Sequence, residues 1–278
     1  MGKCKVGLNG ISLNCGQAEE ISIAGRLGYD YLEIRNWKLE AFLQERAVED
    51  LPALFAQAKV KPLSINAIEP VTLGPGEDRQ RLAKSARWHL SMAGAIGCEC
   101  VVVNPFGVAE GLSGGEGRRQ VVDGLKLVSD IAAEYDVKVA YEFLDWQFPV
   151  HTIADTLEVL ELVNRENVGW LLDFHLFHVA DGSLESLARA GADRLLLVHI
   201  CDVPNVPLED LAVGKVRRIF PGDGVIATEA ILGTLFQMGY QGPFSVELFD
   251  PDFLSWDPFK FCKRAKEKTL AVLDEYYR

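Results

Sequence analysis

Short apolar runs alternate along the whole chain with longer stretches in which apolar residues recur at helical spacing. The short runs are five or six residues long and rich in Val, Leu and Ile, as expected of strands that are covered by helices. We predict eight strands, at Cys4–Asn9, Tyr29–Ile34, Pro62–Asn66, Cys100–Asn104, Lys138–Phe143, Gly169–Asp173, Leu195–Ile200 and Phe244–Leu248.

The longer stretches are predicted to be amphipathic helices. In Thr152–Val163 the apolar residues Ile153, Leu157 and Leu160 recur at helical spacing. Ala18–Leu27 is followed by Gly28, a residue type that commonly ends helices. The other helices are predicted at Glu49–Lys59, Arg79–Gly94, Arg118–Tyr135, Leu184–Ala190, Thr228–Met238 and Phe259–Tyr277.

Alternation of strand and helix predicts a parallel βαβ architecture. Eight strand–helix units in 278 residues favour a closed (β/α)₈ TIM barrel over an open doubly wound sheet. No GxGxxG motif follows the first strand, and we expect the glycine-rich segment Gly114–Gly117 to be a flexible turn. Since neither a change of composition nor a long linker divides the chain, we predict one α/β TIM-barrel domain over residues 1–278.

Charge and composition narrow the expected partners. A formal net charge of −12 opposes binding to nucleic acid, which relies on clustered Lys and Arg. The apolar runs are far shorter than the ~20 residues that cross a bilayer, so we expect no membrane partner. The N-terminal residues lack the apolar run of a signal peptide, and the six cysteines form no CxxC pair, so we expect a cytoplasmic protein with reduced thiols. A small-molecule substrate is favoured, and a homodimer stays open.

Each of the last four predicted strands has a residue that can bind a metal at its last or next-to-last position: Glu142, Asp173, His199 and Glu247. The carboxyl ends of barrel strands meet at the active face, and three carboxylates near one imidazole repel each other unless a cation or shared protons compensate. A single such residue is often a helix cap, a salt-bridge partner or a structural histidine. The four together favour one divalent metal ion, with Mn²⁺ well suited and Zn²⁺, Co²⁺ or Mg²⁺ tolerated.

The earlier strands end in polar groups that are expected to line the same mouth: Asn9, Glu33–Arg35, Asn66 and Asn104. Such groups suit a polyhydroxylated substrate. Trp37 and Trp146 lie just beyond strand ends and either stack on a ring or pack under a loop. The longest irregular stretch, residues 202–225, is expected to cover the substrate.

Five segments carry a resemblance that spans essentially the whole chain: Gly28–Arg35, Val139–Phe143, Asn167–Asp173, Pro221–Gly224 and Ser245–Phe249. They resemble the xylose isomerase-like sugar phosphate isomerase/epimerase superfamily, and within it the inosose isomerases. The resemblance implies a TIM barrel whose divalent metal is held by Glu142, Asp173, His199 and Glu247. It also implies that Glu142 and Glu247 are the catalytic acid/base pair, which moves a proton on and off the carbon next to a substrate carbonyl.

The sequence departs from this family at one substrate-binding position. Relatives usually carry a histidine three residues after the aspartate ligand, where this chain has Leu176. We expect His175 or His178 to replace it, with a slight preference for His178. Arg218 matches a family arginine in the loop that covers the site, although a solvated charge beside Arg217 is an equal alternative. Asn66 and Asn104 complete the expected substrate-binding set.

The resemblance implies an isomerase or epimerase of a polyhydroxylated ketone, with 2-keto-myo-inositol (inosose) first and ketose 3-epimerisation second. A 3-dehydroshikimate dehydratase is an alternative on a similar barrel. A DNA-repair endonuclease is disfavoured by the acidic charge and by only five histidines. A barrel that keeps its metal without catalysis is disfavoured because both Glu142 and Glu247 are present.

Overall fold

A computed structural model describes residues 4–74, 76–107, 114–180, 182–215 and 217–277. Eight parallel strands close into a barrel in chain order, and the last pairs with the first. The strands are β1 Lys5–Asn9, β2 Tyr31–Arg35, β3 Lys61–Ile68, β4 Cys100–Val103, β5 Lys138–Glu142, β6 Val168–Asp173, β7 Leu195–Ile200 and β8 Pro243–Val246. The predicted TIM barrel is confirmed, with strand ends displaced by no more than two residues from the predicted ones.

Helices surround the barrel within the described ranges. They are α1 Gln17–Leu27, α2 Asn36–Leu43, α3 Asp50–Ala58, α4 Gly76–Ile96, α5 Gly114–Ala132, α6 Ile153–Val163, α7 Phe174–Val179, α8 Leu184–Ala190, α9 Thr228–Gln237 and α10 Pro258–Leu273. Short 3₁₀ turns lie at Gly10–Ser12, Ala133–Tyr135, Leu208–Leu211 and Pro251–Ser255. None of the described helices has the length and apolar character needed to cross a membrane.

Three features differ from the predicted elements. The helices α2 and α7 were not expected. The expectation of a flexible turn at Gly114–Gly117 is wrong, because these residues form the first turn of α5. Buried residues such as Val121, Leu125 and Val128 recur along α5, and this packing holds the helix against the barrel despite its glycine-rich start.

Strand register pairs several of the polar residues near the strand ends with one another. Asp173 of β6 lies opposite His199 of β7, and His199 lies opposite Ser245 of β8. Glu33 of β2 lies between Asn9 of β1 and a serine of β3 in the same way. Buried apolar residues of six strands form one cluster in the barrel: Tyr31, Leu63, Ala67, Cys100, Val102, Ala140, Leu171 and Leu197.

The long loop after β7 is fixed by one buried aspartate. Asp202 accepts hydrogen bonds from the backbone N–H groups of Ile226 (2.9 Å) and Gly222 (3.1 Å), and its backbone pairs with Ile219 in an antiparallel bridge. A Cβ at Gly224 would lie 2.1 Å from the carbonyl oxygen of Val203, so this close approach requires glycine. The loop therefore has a defined conformation at the point where it carries Arg218.

Candidate metal centre and substrate cavity

The four strand-end residues predicted as metal ligands come together at the carboxyl end of the barrel. One potential ligand atom from each of Glu142, Asp173, His199 and Glu247 lies within 4.8 Å of all the others, and all four side chains are buried. They come from β5, β6 and β7 and from the residue that follows β8. The structure thus brings the predicted ligand set into one cluster, and their roles as ligands stay a prediction.

The imidazole of His199 has two different surroundings. Its Nε2 lies 3.0 Å from Oε1 of Glu33, a hydrogen bond that places the proton of the neutral ring on Nε2. Its Nδ1 lies 3.1 Å from Glu247 Oε2, 3.3 Å from Glu142 Oε1 and 3.7 Å from Asp173 Oδ2, yet makes no hydrogen bond. A buried nitrogen lone pair that faces three carboxylates without a hydrogen bond fits a divalent cation.

Protonation of His199 competes with metal binding. Burial lowers the pKa of His199, but the carboxylates of Glu247 and Glu33 outweigh this effect and raise the pKa well above its ordinary value. A proton on Nδ1 therefore substitutes for the cation when no metal is bound. Metal binding must displace that proton, which makes affinity for the metal dependent on pH.

Arg218 neutralises part of the carboxylate cluster. Its Nη1 donates to Asp173 Oδ2 at 2.6 Å and to Glu247 Oε2 at 2.5 Å, and the side chain is only 6% exposed. The guanidinium also lies over the ring of Phe249, with its carbon 4.6 Å from the ring centre. Burial raises the pKa of Asp173, but Arg218 and the two nearby histidines outweigh this effect and lower it. The interpretation of Arg218 as a solvated charge is wrong.

Asp173 has a structural role beside its place in the cluster. Its Oδ1 accepts a hydrogen bond from the backbone N–H of Leu176 at 2.8 Å and caps the N-terminus of α7. Its Oδ2 is the atom that faces His199 and Arg218. The cap holds this carboxylate in one orientation, so Asp173 is a helix cap, and its role as a metal ligand stays a prediction.

A cavity of about 520 Å³ opens above the cluster. Asn66, Asn104 and Arg218 lie on its wall together with Glu142 and Glu247. The Nδ2 of Asn104 lies 3.5 Å from Glu142 Oε2, and the Nδ2 of Asn66 is buried without a partner in the described part of the chain. This volume and these polar groups suit a ligand of the size of a sugar or a cyclitol.

The two histidines predicted as substrate ligands do not lie on the wall of this cavity. His175 is fully buried, and its Nε2 lies 2.6 Å from the carbonyl oxygen of Leu211. Burial and the nearby Arg218 lower the pKa of His175 to about 4, so its ring is neutral. His178 is half-buried on α7. Substrate binding by either histidine stays a prediction to which this geometry gives no support.

Other expected wall residues are distributed differently. Asn9 and Glu33 lie beneath the cluster and not at the mouth, whereas Arg35 does line the cavity. Trp37 and Trp146 are 46% and 41% exposed and lie outside the cavity wall.

Four charged residues of the cavity wall were not predicted there: Glu69, Lys215, Arg217 and Asp250. Glu69 directly follows β3, which extends two residues beyond the predicted strand, and the other three lie in the loops after β7 and β8. The search for polar residues that close apolar strands does not reach such loop positions. The loop arrangement that brings them to the cavity has no local sequence signal.

Comparison with known proteins places this barrel in a family. The profile of the xylose isomerase-like TIM barrel family matches residues 21–273, and the chain belongs to this family. An inosose isomerase of Bacillus licheniformis is 30% identical over 95% of both chains, and one of Halalkalibacterium halodurans is 29% identical over 95% of this chain and 94% of its own length. A crystal structure of the IolI protein with a bound zinc atom superposes with a TM-score of 0.93 at 30% identity, covering 98% of this chain and 99% of the other.

These relatives confirm that the chain is an enzyme, and the predicted isomerase class fits the names of the relatives that match its length. The zinc atom of the IolI structure and the buried cluster of Glu142, Asp173, His199 and Glu247 together support a divalent metal.

Proposed function

We propose that this enzyme isomerises a keto-cyclitol, with 2-keto-myo-inositol as the leading substrate, by proton transfer at the carbon next to the carbonyl. The observation that carries the proposal is the pair of buried glutamates, Glu142 and Glu247, whose carboxylates both face Nδ1 of His199 at the cavity. Relatives that match this chain over nearly their whole length are named inosose isomerase, which supports the choice of substrate.

One divalent ion held by Glu142, Asp173, His199 and Glu247 would supply Lewis-acid polarisation of the substrate carbonyl, which favours the enediolate. The oxygen-rich donor set with one nitrogen is compatible with Mn²⁺, Zn²⁺, Co²⁺ or Mg²⁺. No redox cofactor is required, because the reaction moves a proton and rearranges electrons within one molecule.

The two glutamates have different electrostatic surroundings. Burial raises the pKa of Glu247, but His199 and Arg218 outweigh this effect and lower it. Burial also raises the pKa of Glu142; His199 opposes this effect, but the nearby Glu247 and Asp173 add to the increase, and the net shift is upward. Environments that separate two carboxyl pKa values are typical of an acid/base pair. We assign Glu247 as the base that accepts the proton and Glu142 as the acid that returns one.

Hydrogen bonds position the proposed base. Asn9 Nδ2 donates to Glu247 Oε1 at 2.9 Å, and Arg35 Nη1 lies 3.6 Å from the same oxygen. The other oxygen, Oε2, accepts from Arg218. The carboxylate is therefore held from both sides, which limits its motion when the proton is transferred.

The two buried arginines of the cavity wall differ in how they are paired. The guanidinium of Arg218 is bonded to Asp173 and Glu247 and is already neutralised by these two carboxylates. That of Arg35 lies near Glu247 and over the ring of Trp37, and its Nε has no hydrogen-bond partner in the described part of the chain. Lys215 is exposed at the rim. An uncharged keto-cyclitol or ketose needs hydrogen bonds only, which Asn66 and Asn104 supply.

Solvent exchange tests the proposal. Metal-loaded protein is incubated in D₂O with 2-keto-myo-inositol, with a ketohexose and with 3-dehydroshikimate, and deuterium incorporation and products are followed by NMR. We expect deuterium and a new keto-cyclitol with the first compound. We also expect a loss of at least 100-fold in Glu247→Gln and in Glu142→Gln, because each variant removes a group that transfers the proton.

A matched control uses a glutamate far from the cavity. Glu134 forms an exposed ion pair with Arg87 on the helical layer, and Glu134→Gln is expected to exchange at the wild-type rate. If only the ketohexose exchanges deuterium, the substrate is a ketose and not a keto-cyclitol. If 3-dehydroshikimate gives an aromatic product, the reaction is a dehydration and not an isomerisation.

A further inference from the structure

Glu33 is a fully buried carboxylate beneath the metal cluster that the proposed reaction does not use. It lies in β2 and accepts four hydrogen bonds. Its Oε1 accepts from Ser245 Oγ at 2.5 Å, His199 Nε2 at 3.0 Å and Asn9 Nδ2 at 3.3 Å, and its Oε2 accepts from Ser64 Oγ at 2.7 Å. Since all four partners donate, the surroundings of Glu33 are built for the ionised, acceptor-only form.

The hydrogen bond from His199 determines which ring nitrogen is free. With the proton on Nε2 directed at Glu33, the lone pair of Nδ1 faces Glu142, Asp173 and Glu247. The other neutral tautomer would place a hydrogen on Nδ1 and remove that lone pair from the cluster. A carboxylate on the far nitrogen also makes the ligating nitrogen a stronger base.

A second connection runs from Glu33 to the proposed base. Asn9 uses the same Nδ2 group to bond Glu33 Oε1 and Glu247 Oε1. Asn9 is itself held in place, because its Oδ1 accepts from the backbone N–H of Ile11 at 3.1 Å. Glu33 is therefore connected to two residues of the cluster: it bonds His199 directly, and it reaches Glu247 through the amide of Asn9.

We propose that Glu33 is a positioning residue of the metal centre, which fixes His199 with Nδ1 free for the cation and orients Glu247 through Asn9. This inference rests on the metal-dependent site of the proposed function, but not on the identity of the substrate.

Metal affinity tests the inference without substrate. Zn²⁺ and Mn²⁺ dissociation constants are measured by competition with a chromophoric chelator for the wild type and for Glu33→Gln, which keeps the shape of the side chain and removes its charge. We expect affinity to fall about 10- to 100-fold, the range found when an outer-shell partner of a metal ligand is lost.

The matched control is another fully buried glutamate on the same side of the barrel. Glu20 forms an ion pair with Lys38 and contacts none of the four cluster residues. Glu20→Gln is expected to change the stability of the fold and to leave metal affinity within twofold of the wild type. Equal losses of affinity in the two variants would overturn the inference.

A measurement on the wild type covers the case in which Glu33→Gln fails to fold. With ¹⁵N-labelled histidine, long-range ¹H–¹⁵N spectra of the Zn²⁺-loaded protein are expected to show His199 protonated at Nε2 and bound to zinc through Nδ1. Zinc on Nε2, or a proton on Nδ1, would overturn the inference. If metal affinity and tautomer agree with expectation while no substrate exchanges deuterium, only the proposed isomerase activity fails.

Discussion

The paired charges around Arg218 give a quantitative prediction for the metal-free protein. Arg218→Met removes a guanidinium that is 6% exposed and bonded to Asp173 at 2.6 Å and Glu247 at 2.5 Å. The two carboxylates then face each other and Glu142 with Arg35, 3.6 Å from Glu247, as the nearest arginine among the described residues. Removing one partner of a buried ion pair generally costs about 3–5 kcal/mol. We expect a loss of unfolding free energy of about that size at pH 8 in the presence of a chelator.

Urea denaturation followed by fluorescence and circular dichroism measures this loss. Arg217→Met is the matched control, since Arg217 is adjacent, 55% exposed and paired with Asp252 at 3.0 Å on the surface. Its loss is expected to be about 0–1 kcal/mol. Saturating metal is expected to reduce the effect of Arg218→Met, because the added cation neutralises the same carboxylates. A loss below 1 kcal/mol in metal-free Arg218→Met would refute the assigned electrostatic role.

Three further predictions concern stability. Divalent metal at about 100 times its dissociation constant should stabilise the wild type by about 2.7 kcal/mol and raise Tm by roughly 5–10 °C in calorimetry, and a shift that persists in Asp173→Asn would speak against the assigned ligand set. Gly124→Ala should lower the unfolding free energy in urea by about 1–3 kcal/mol, because its Cβ would lie 1.8 Å from the carbonyl oxygen of Val71. The control Gly115→Ala lies in the same helix, and its Cβ would meet no atom within 4 Å, so it should be neutral or stabilising. Burial lowers the pKa of His89, so on acidification the imidazole takes up a proton in the unfolded chain before it does so in the folded protein. The stability of the wild type relative to His89→Gln should therefore fall as pH drops below about 6.5. A constant difference in urea titrations from pH 7.5 to 5 would contradict this.

The metal cluster could be predicted because strands that follow one another in the chain lie side by side in a closed barrel, so their carboxyl ends are close together. Polar residues that end otherwise apolar strands need no long-range information to be found, and the register of Asp173 opposite His199 follows from pairing of adjacent parallel strands. The same logic identified Asn66 and Asn104 as wall residues.

Elements and contacts that depend on packing could not be predicted. Most residues of the short helix α7, from Phe174 to Val179, are buried, so it has no polar face and no amphipathic pattern. His175 follows a metal-capable aspartate in sequence, but its Nε2 is bonded to Leu211, which is 36 residues away. Lys215 reaches the cavity through the loop after β7, whose conformation depends on distant contacts such as those of Asp202 with Gly222 and Ile226. Glu33 was expected at the mouth, but its carboxylate is fully buried and bonded to Nε2 of His199, which is 166 residues away in the sequence.

Anomalous diffraction from crystals of the Zn²⁺- or Mn²⁺-loaded enzyme tests the central claim of a metal centre most directly. Data at the absorption edge of the metal are expected to show one strong peak per chain, in contact with Nδ1 of His199 and with the carboxylates of Glu142, Asp173 and Glu247. The peak should disappear in Asp173→Asn. Metal bound elsewhere on the chain, with no peak at His199, would contradict the assigned centre and with it the proposed metal-assisted isomerisation.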